Sequence, residues 1–151
     1  MKMKKYIGID PGKSGGISMF YGKKIEAVKC PDTFQKMYLS FMNMLGDTAP
    51  SDTYVFIEQV WAFPSDSNKT AFAFGTNYGA WQTIAEIAEC NIVLVRPRKW
   101  QKHFDTPKSD KKTRKRWLKE LAQGMCDFRV TFNTSDAILI GKYCADEGGS
   151  V

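Results

Sequence analysis

Apolar residues along this chain recur with two different periods, and the change from one to the other marks out its elements. Tyr6-Ile-Gly-Ile-Asp10 is a short apolar run that ends in a carboxylate. It predicts a strand from Lys4 to Asp10, on which Tyr6, Gly8 and Asp10 share one face while Ile7 and Ile9 take the other. Gly8 is expected to leave open space beside Asp10. Ile17–Tyr21 and Ile25–Val28, separated by Gly22-Lys23, read as a hairpin, so the first three strands form an antiparallel meander. The period then lengthens. From Asp32, which can cap, Phe34, Met37, Tyr38, Phe41, Met44 and Leu45 follow the i, i+3, i+4, i+7 spacing of an amphipathic helix that Gly46 ends. All six side chains are assigned to the core.

The second half repeats the alternation of strand and helix. After the polar linker Asp47–Asp52, Tyr54-Val-Phe-Ile-Glu58 is a buried strand, with Tyr54, Phe56 and Glu58 on one face. A loop, Gln59–Asn68, precedes a long helix from Thr70 to Glu89 striped by Phe74, Tyr78, Trp81, Ala85 and Ala88. Gly75 and Gly79 disfavour that helix by roughly 1 kcal/mol each, and close approach of another backbone, from the sheet or from a second subunit, is the expected compensation. Asn91–Val95 is a further strand, closed by Arg96-Pro97. Trp117, Leu118, Leu121 and Met125 give the following segment an apolar stripe, with Ser109 as its cap. The last helix begins near Asn133-Thr-Ser-Asp136, capped by Ser135 or Asn133. These elements predict an α/β fold with a mixed five-stranded sheet, a three-strand antiparallel meander plus two parallel strands, flanked by helices.

Composition narrows the class. A chain of 151 residues with 43% hydrophobic content suits one compact domain spanning 1–151. No apolar run approaches the roughly 20 residues of a membrane span, and Met-Lys-Met-Lys-Lys leads into a strand rather than a signal sequence. A cytoplasmic protein with no membrane partner is expected. Cys30, Cys90, Cys126 and Cys144 show no paired metal-ligand spacing and read as buried thiols, and with His103 the only histidine no zinc site is expected.

Charge changes the picture more. The formal net charge is +6, yet between Arg96 and Lys119 stand eleven basic residues and two acids, leaving the remainder of the chain net negative. Such segregation fits a polyanionic partner held on one face, most simply nucleic acid. A solvated basic helix accounts for it equally well.

The acids carry the candidate chemistry. Asp10 before Pro-Gly is ordinary turn chemistry, but an acid closing an apolar central strand also calls for a cation to meet it. Glu58 closes a second strand in the same way. Two parallel strands that each end in an acid bring both to one edge of the sheet, where ligand sites of α/β sheets collect. Asp136 in a first helical turn is good helix electrostatics, and that alone explains it. Just beyond Glu58, Trp61 is placed in the open, where it can stack on a base, while Phe63 is placed beneath the sheet.

Asp10, Glu58 and Asp136 stand at the ends of three elements whose order is that of a ribonuclease H-like fold, and the arrangement resembles the RuvC-type Holliday junction resolvases. The resemblance is carried by Ile7-Gly-Ile-Asp-Pro-Gly12, Ile57-Glu-Gln-Val-Trp61 and Asn133-Thr-Ser-Asp-Ala137 followed by Ile-Leu-Ile, with Tyr78-Gly-Ala80 and Pro97-Arg-Lys-Trp-Gln-Lys102 between them. It spans nearly the whole chain. It implies metal-binding carboxylates at Asp10, Glu58 and Asp136, a base-stacking aromatic at Trp61, and DNA-contacting lysines at Lys102 and Lys112. The family usually has Asp or His three residues before the last acid, where this chain has Asn133, whose amide oxygen can bind Mg²⁺ without adding charge.

The implied activity is metal-dependent hydrolysis of DNA phosphodiesters in four-way junctions, giving 5′-phosphate and 3′-hydroxyl ends. Hard oxygen ligands suit Mg²⁺ or Mn²⁺, with two ions per site about 3.5–4 Å apart. Arg98, Lys102, Lys111, Lys112, Arg114 and Lys115 would hold phosphates, and a homodimer would match the two-fold symmetry of a junction. No small-molecule substrate is expected. Two other readings are open: a nuclease of the same fold acting on other branched DNA or RNA, and a nucleotide phosphate binder built on Asp-Pro-Gly-Lys-Ser-Gly-Gly. A junction-binding protein without catalysis is a third, disfavoured by the presence of all three acids.

Overall fold

A computed structural model describes residues 2–150 of the chain. Strands β1 (Lys5–Asp10), β2 (Gly16–Tyr21) and β3 (Lys24–Lys29) pair antiparallel, while β4 (Thr53–Glu58) and β5 (Asn91–Val95) add in parallel on the other side of β1. The order is β3-β2-β1-β4-β5, the mixed five-stranded sheet that the pattern predicts, with each strand within a residue of its expected limits. Gly22, at φ 59°, supplies the left-handed residue that the tight β2–β3 turn requires.

Alternation along β1 and β4 splits the core in two. Ile7, Ile9, Val55 and Ile57 face helices α1 (Phe34–Leu45) and α2 (Asn68–Ile87), in one cluster with Met37, Phe41 and Trp81. Phe56, on the opposite face, joins Trp100 of α3 (Pro97–His103), Leu118 of α4 (Lys111–Gln123) and Ile138 to Ile140 of α5 (Ser135–Asp146). The register sets Tyr6 opposite Tyr54 and Gly8 opposite Phe56, so Asp10 and Glu58 end neighbouring strands on the α5 side.

Gly8 does not open a space there. A Cβ at Gly8 would run into the amide nitrogen of Gly141 and the carbonyl oxygen of Ala137, so the room a side chain would fill is taken by the backbone of α5. Ser18 Oγ on β2 donates to the Ala137 carbonyl at 2.6 Å and ties the same turn of α5 to the sheet. Two glycines and one short hydroxyl let a helix lie against the strands more closely than side chains would allow.

Other expectations are corrected by exposure and capping. On α1 only Met37, Phe41, Met44 and Leu45 are buried; Phe34 and Tyr38 are 58% and 46% exposed, because the stripe that meets the sheet is narrower than the apolar pattern. Thr33, not Asp32, caps α1 by accepting from the Lys36 amide, and Asp32 instead pairs with the Lys36 ammonium. Asp110 rather than Ser109 caps α4, its carboxylate accepting from the Thr113 amide at 2.9 Å. The cap of α5 is Thr134, with no side-chain cap bond, in place of Ser135 or Asn133. Beyond the backbone of their own helix, no atom of the described residues lies within 4 Å of a Cβ built at Gly75 or Gly79, so the sheet is not what approaches them. Among the described residues no helix is long and apolar enough to cross a membrane, and all four cysteines are free thiols, Cys30 and Cys144 buried and Cys90 and Cys126 half-buried.

Gly8→Ala therefore forces α5 off β1. We expect a loss of about 3 kcal/mol or more, at the upper end of the usual overpacking range, and a melting temperature lower by roughly 6–12 °C in a circular-dichroism melt. An unchanged melting temperature would mean that α5 is not held where the two glycines place it.

Candidate active site

Three elements deliver one acid each to a single cavity of about 580 Å³ at the C-terminal edge of β1 and β4. Asp10 leaves β1 and Glu58 leaves β4, both because the strands end there in register. Asp136 sits in the first turn of α5 and reaches the same space because α5 is pressed against β1 at Gly8. The two readings of Asp10 coexist. Its Oδ1 accepts weakly from the Gly12 amide at 3.4 Å, as a turn-opening Asp does, and the side chain still lines the cavity.

The charges in this space are only partly compensated. Burial pushes the Asp10 carboxyl up to about 7, and the charge of Asp136 adds to the rise. Burial also lifts Glu58 to about 8, with the charge of Asp10 adding and a hydrogen bond from Trp100 opposing. Asp136 is raised by burial and held back by Lys115 and Arg114. A buried anion is tolerated when it is paired or bound to a cation, and these three are each other's neighbours.

The rim has the opposite sign. Lys13, Lys69, Lys111 and Lys115 line the cavity with the acids, and Phe74 of α2 and Phe132 before α5 form apolar parts of its wall. Phe74 stands over the Asp10 turn, about 3.0 Å from where a Cβ on Gly12 would be. Lys119 lies over the Phe132 ring, 4.9 Å from its centroid, and holds it at the edge of the site.

The other residues expected at the site are spread outward. Arg98 and Lys102 on α3 line a second cavity, of about 660 Å³, together with Lys108 and Arg114. Lys112 is exposed on α4 and lines neither space. Trp61 is 50% exposed, its ring centroid 6.0 Å from that of Phe63. Phe63 is 56% exposed and does not tuck beneath the sheet. Its backbone N–H instead donates to Asp66, which shapes the turn in the open. Asn133 is turned to the Asp10 loop: its Nδ2 donates to the Ser14 carbonyl at 2.8 Å, and the residue does not line the acid cavity.

One partner of the acids is not among the residues the sequence pattern predicts at the site. Trp100 is fully buried, and its Nε1 donates to Glu58 Oε2 at 2.7 Å. The signal was present: an indole in a stretch of exposed basic residues must find both an apolar bed and an acceptor. A still larger cavity, of about 780 Å³, lies at the other end of β1 beside Lys4 and Tyr6 and is lined by no acid, so size does not locate the chemistry.

Among the described residues no three His, Cys, Asp or Glu side chains converge closely enough, as placed, to hold a metal ion. The donor set nonetheless fits a hard divalent cation. Three carboxylates share one cavity, each repels the other two across it, and no buried base neutralises them.

No protein-family model matches the sequence, and no curated protein matches it. Solved structures do. RuvC of T. thermophilus in complex with a Holliday junction substrate superposes with a TM-score of 0.63 over 97% of this chain and 98% of that one, at 17% identity. A second T. thermophilus RuvC structure gives 0.62 over 96% and 97%, also at 17% identity. This chain has the RuvC fold. The RuvC-type meander, two parallel strands and covering helices run nearly end to end through both proteins, while at this identity few side chains coincide.

The raised carboxyls predict a pH effect of definite sign. A carboxyl whose folded value lies above its unfolded value adds stability below the unfolded value and loses it as pH rises through the folded one. In EDTA the protein should therefore lose thermal stability between pH 5 and pH 8. Asp10→Asn and Glu58→Gln should each flatten that decline and melt higher than wild type at pH 8. Parallel pH profiles for wild type and variants would contradict the clustering of these charges.

Proposed function

We propose that this protein is a divalent-metal-dependent endonuclease that cuts branched DNA, four-way junctions foremost, by hydrolysis to 5′-phosphate and 3′-hydroxyl ends. One observation carries the reading: an acidic floor made by Asp10, Glu58 and Asp136 lies under a rim of Lys13, Lys69, Lys111 and Lys115 in one cavity. Acids alone would attract cations and lysines alone would attract phosphates. Both together suit a phosphodiester that meets metal ions. The RuvC fold supports the same reading, since a RuvC of that fold has been solved in complex with a Holliday junction substrate.

Asp10, Glu58 and Asp136 would hold the metal, Mg²⁺ or Mn²⁺, in one or two sites. When bound, such ions activate water and stabilise the leaving oxygen of an in-line displacement. The chain's own groups do the rest. Lys111 and Lys115, one turn apart on α4, reach the rim and hold the phosphate against the acids. Asn133 assists from outside the cavity by bonding Ser14 and so fixing the loop after Asp10. Arg98, Lys102 and Arg114, with Lys112 on the outer face of α4, extend the basic surface away from the cleavage point for a duplex arm. Trp61 stands exposed beyond Glu58, where it can stack on a base unpaired at the crossover.

A four-way junction has two opposed strands to cut, and a homodimer with two-fold symmetry presents one such site to each. We propose that assembly for this single-domain chain.

The first test is an end-labelled four-way junction beside a linear duplex, with Mg²⁺, Mn²⁺ or EDTA. Paired nicks near the crossover are expected with metal only, absent in Asp10→Asn, while junction binding persists in that variant. Cleavage retained by Asp10→Asn sinks the assignment of the site; cleavage of flaps or RNA in preference to junctions moves the substrate within the same chemistry.

Binding should also weaken with salt, log affinity falling with log salt at a slope of about −0.9 per phosphate contacted. Neutralising Lys111, Lys112, Arg114 and Lys115 together is expected to flatten that slope. A slope that does not change would return α4 to a solvated surface helix.

A further inference from the structure

Glu58 differs from the other two acids in how it is held. Asp10 accepts only weakly, from the Gly12 amide of its own turn, and Asp136 stands in the first turn of α5 with no hydrogen bond to its carboxylate among the described residues. Glu58 carries a longer, more flexible side chain at the end of β4, and among the described residues the one hydrogen bond to its carboxylate comes from Trp100. An indole N–H is a donor with no acceptor capacity, so this bond has one direction, and it engages Oε2.

The donor is rigidly placed. Trp100 has no exposed surface and belongs to the apolar cluster of Phe56, Val95, Leu118 and Ile138. Its helix opens on Pro97 and is tied at its other end by His103, whose Nε2 lies 2.8 Å from Asp146 Oδ2 on α5. Arg98 and Lys102, two residues to either side of Trp100, are exposed on the same short helix.

From this geometry we infer that Trp100 is a positioning residue: from the basic helix α3 it presets the Glu58 carboxylate, engaging Oε2 and leaving Oε1 to a divalent cation. The inference rests on the metal-dependent endonuclease reading for what the cation does, but not for whether it binds. Partners that orient a metal-ligating side chain typically matter by 10- to 100-fold in metal affinity. Trp100 would also make Glu58 answer to the placement of α3, a helix whose other face offers phosphate contacts.

The test uses the full chain with Trp100→Phe and with Trp100 replaced by benzothienylalanine, which keeps the shape of the indole and lacks its N–H. Mg²⁺ uptake is followed through the amide resonances of β1 and β4, and in ¹⁵N-tryptophan-labelled wild type through the Trp100 indole resonance, identified by its loss in Trp100→Phe. Both variants should need about 10-fold more Mg²⁺ for half-saturation. Excess Mg²⁺ should recover their cleavage, which a merely structural defect would not allow, and the wild-type indole resonance should move along the same titration. Wild-type half-saturation in the benzothienylalanine protein overturns the inference, as does an indole resonance that Mg²⁺ never moves. A wild type that takes up Mg²⁺ with the indole shift yet cuts no DNA overturns the endonuclease reading instead, and the positioning role is then decided by the metal titrations alone.

Discussion

Repulsion among three half-buried carboxylates is the interaction around which the rest of this structure is arranged. Asp10, Glu58 and Asp136 share one cavity; burial pushes all three carboxyls upward, and neighbouring carboxylate charge adds to the rise at Asp10 and Glu58. Left alone, such a cluster drives its own elements apart. Three features oppose that: strand pairing that fixes Asp10 beside Glu58, the seating of α5 on β1 that fixes Asp136, and the positive charge of Lys115 and Arg114 on α4, which favours the ionised Asp136. Each is a property of the scaffold rather than of the acids. The fold holds the charges together at some cost to stability, and a bound cation would offset it.

The same arrangement explains why the charge of the chain is segregated. A protein of net charge +6 could distribute its lysines evenly, yet this one concentrates them on α3, α4 and the segment between. Lys111 and Lys115 of that segment line the acid cavity, and Arg98, Lys102, Lys108 and Arg114 line a second one, so the positive charge runs from the site outward. A polyanion drawn to this charge would be delivered to the acidic floor by the field before any specific contact forms.

Most of the fold was legible because strand and helix periods are clean in this sequence. Ile7, Ile9, Val55 and Ile57 alternate so regularly that five strands could be placed to within a residue, and the acids at two strand ends followed from register alone. What escaped depended on partners far along the chain. Gly8 read as a gap because the backbone that fills it, at Gly141, lies in a helix placed only by tertiary packing. Trp100 has no assigned partner in the basic segment because its acceptor is 42 residues away. Phe34 and Tyr38 fit the helical period yet face outward, since the pattern records which residues could be buried and not how wide a surface meets them. The place of Asn133 at the Ser14 carbonyl follows from the loop it touches, and no local signal in the sequence specifies it.

The contact between Gly8 and Gly141 has a consequence for how such a sequence can drift. An isoleucine in either apolar cluster can be exchanged for valine or leucine if a neighbour adjusts, because side chains repack. Backbone meeting backbone offers no such latitude. Any side chain at Gly8 meets Gly141 and Ala137, and one at Gly141 meets Ser18 and Phe20, so neither position can be traded against the other in single steps. A lineage holding this geometry is free to replace nearly everything around it while the helix stays on the strand. Shape then rests on two positions without side chains, and outlasts the spelling of the residues around them.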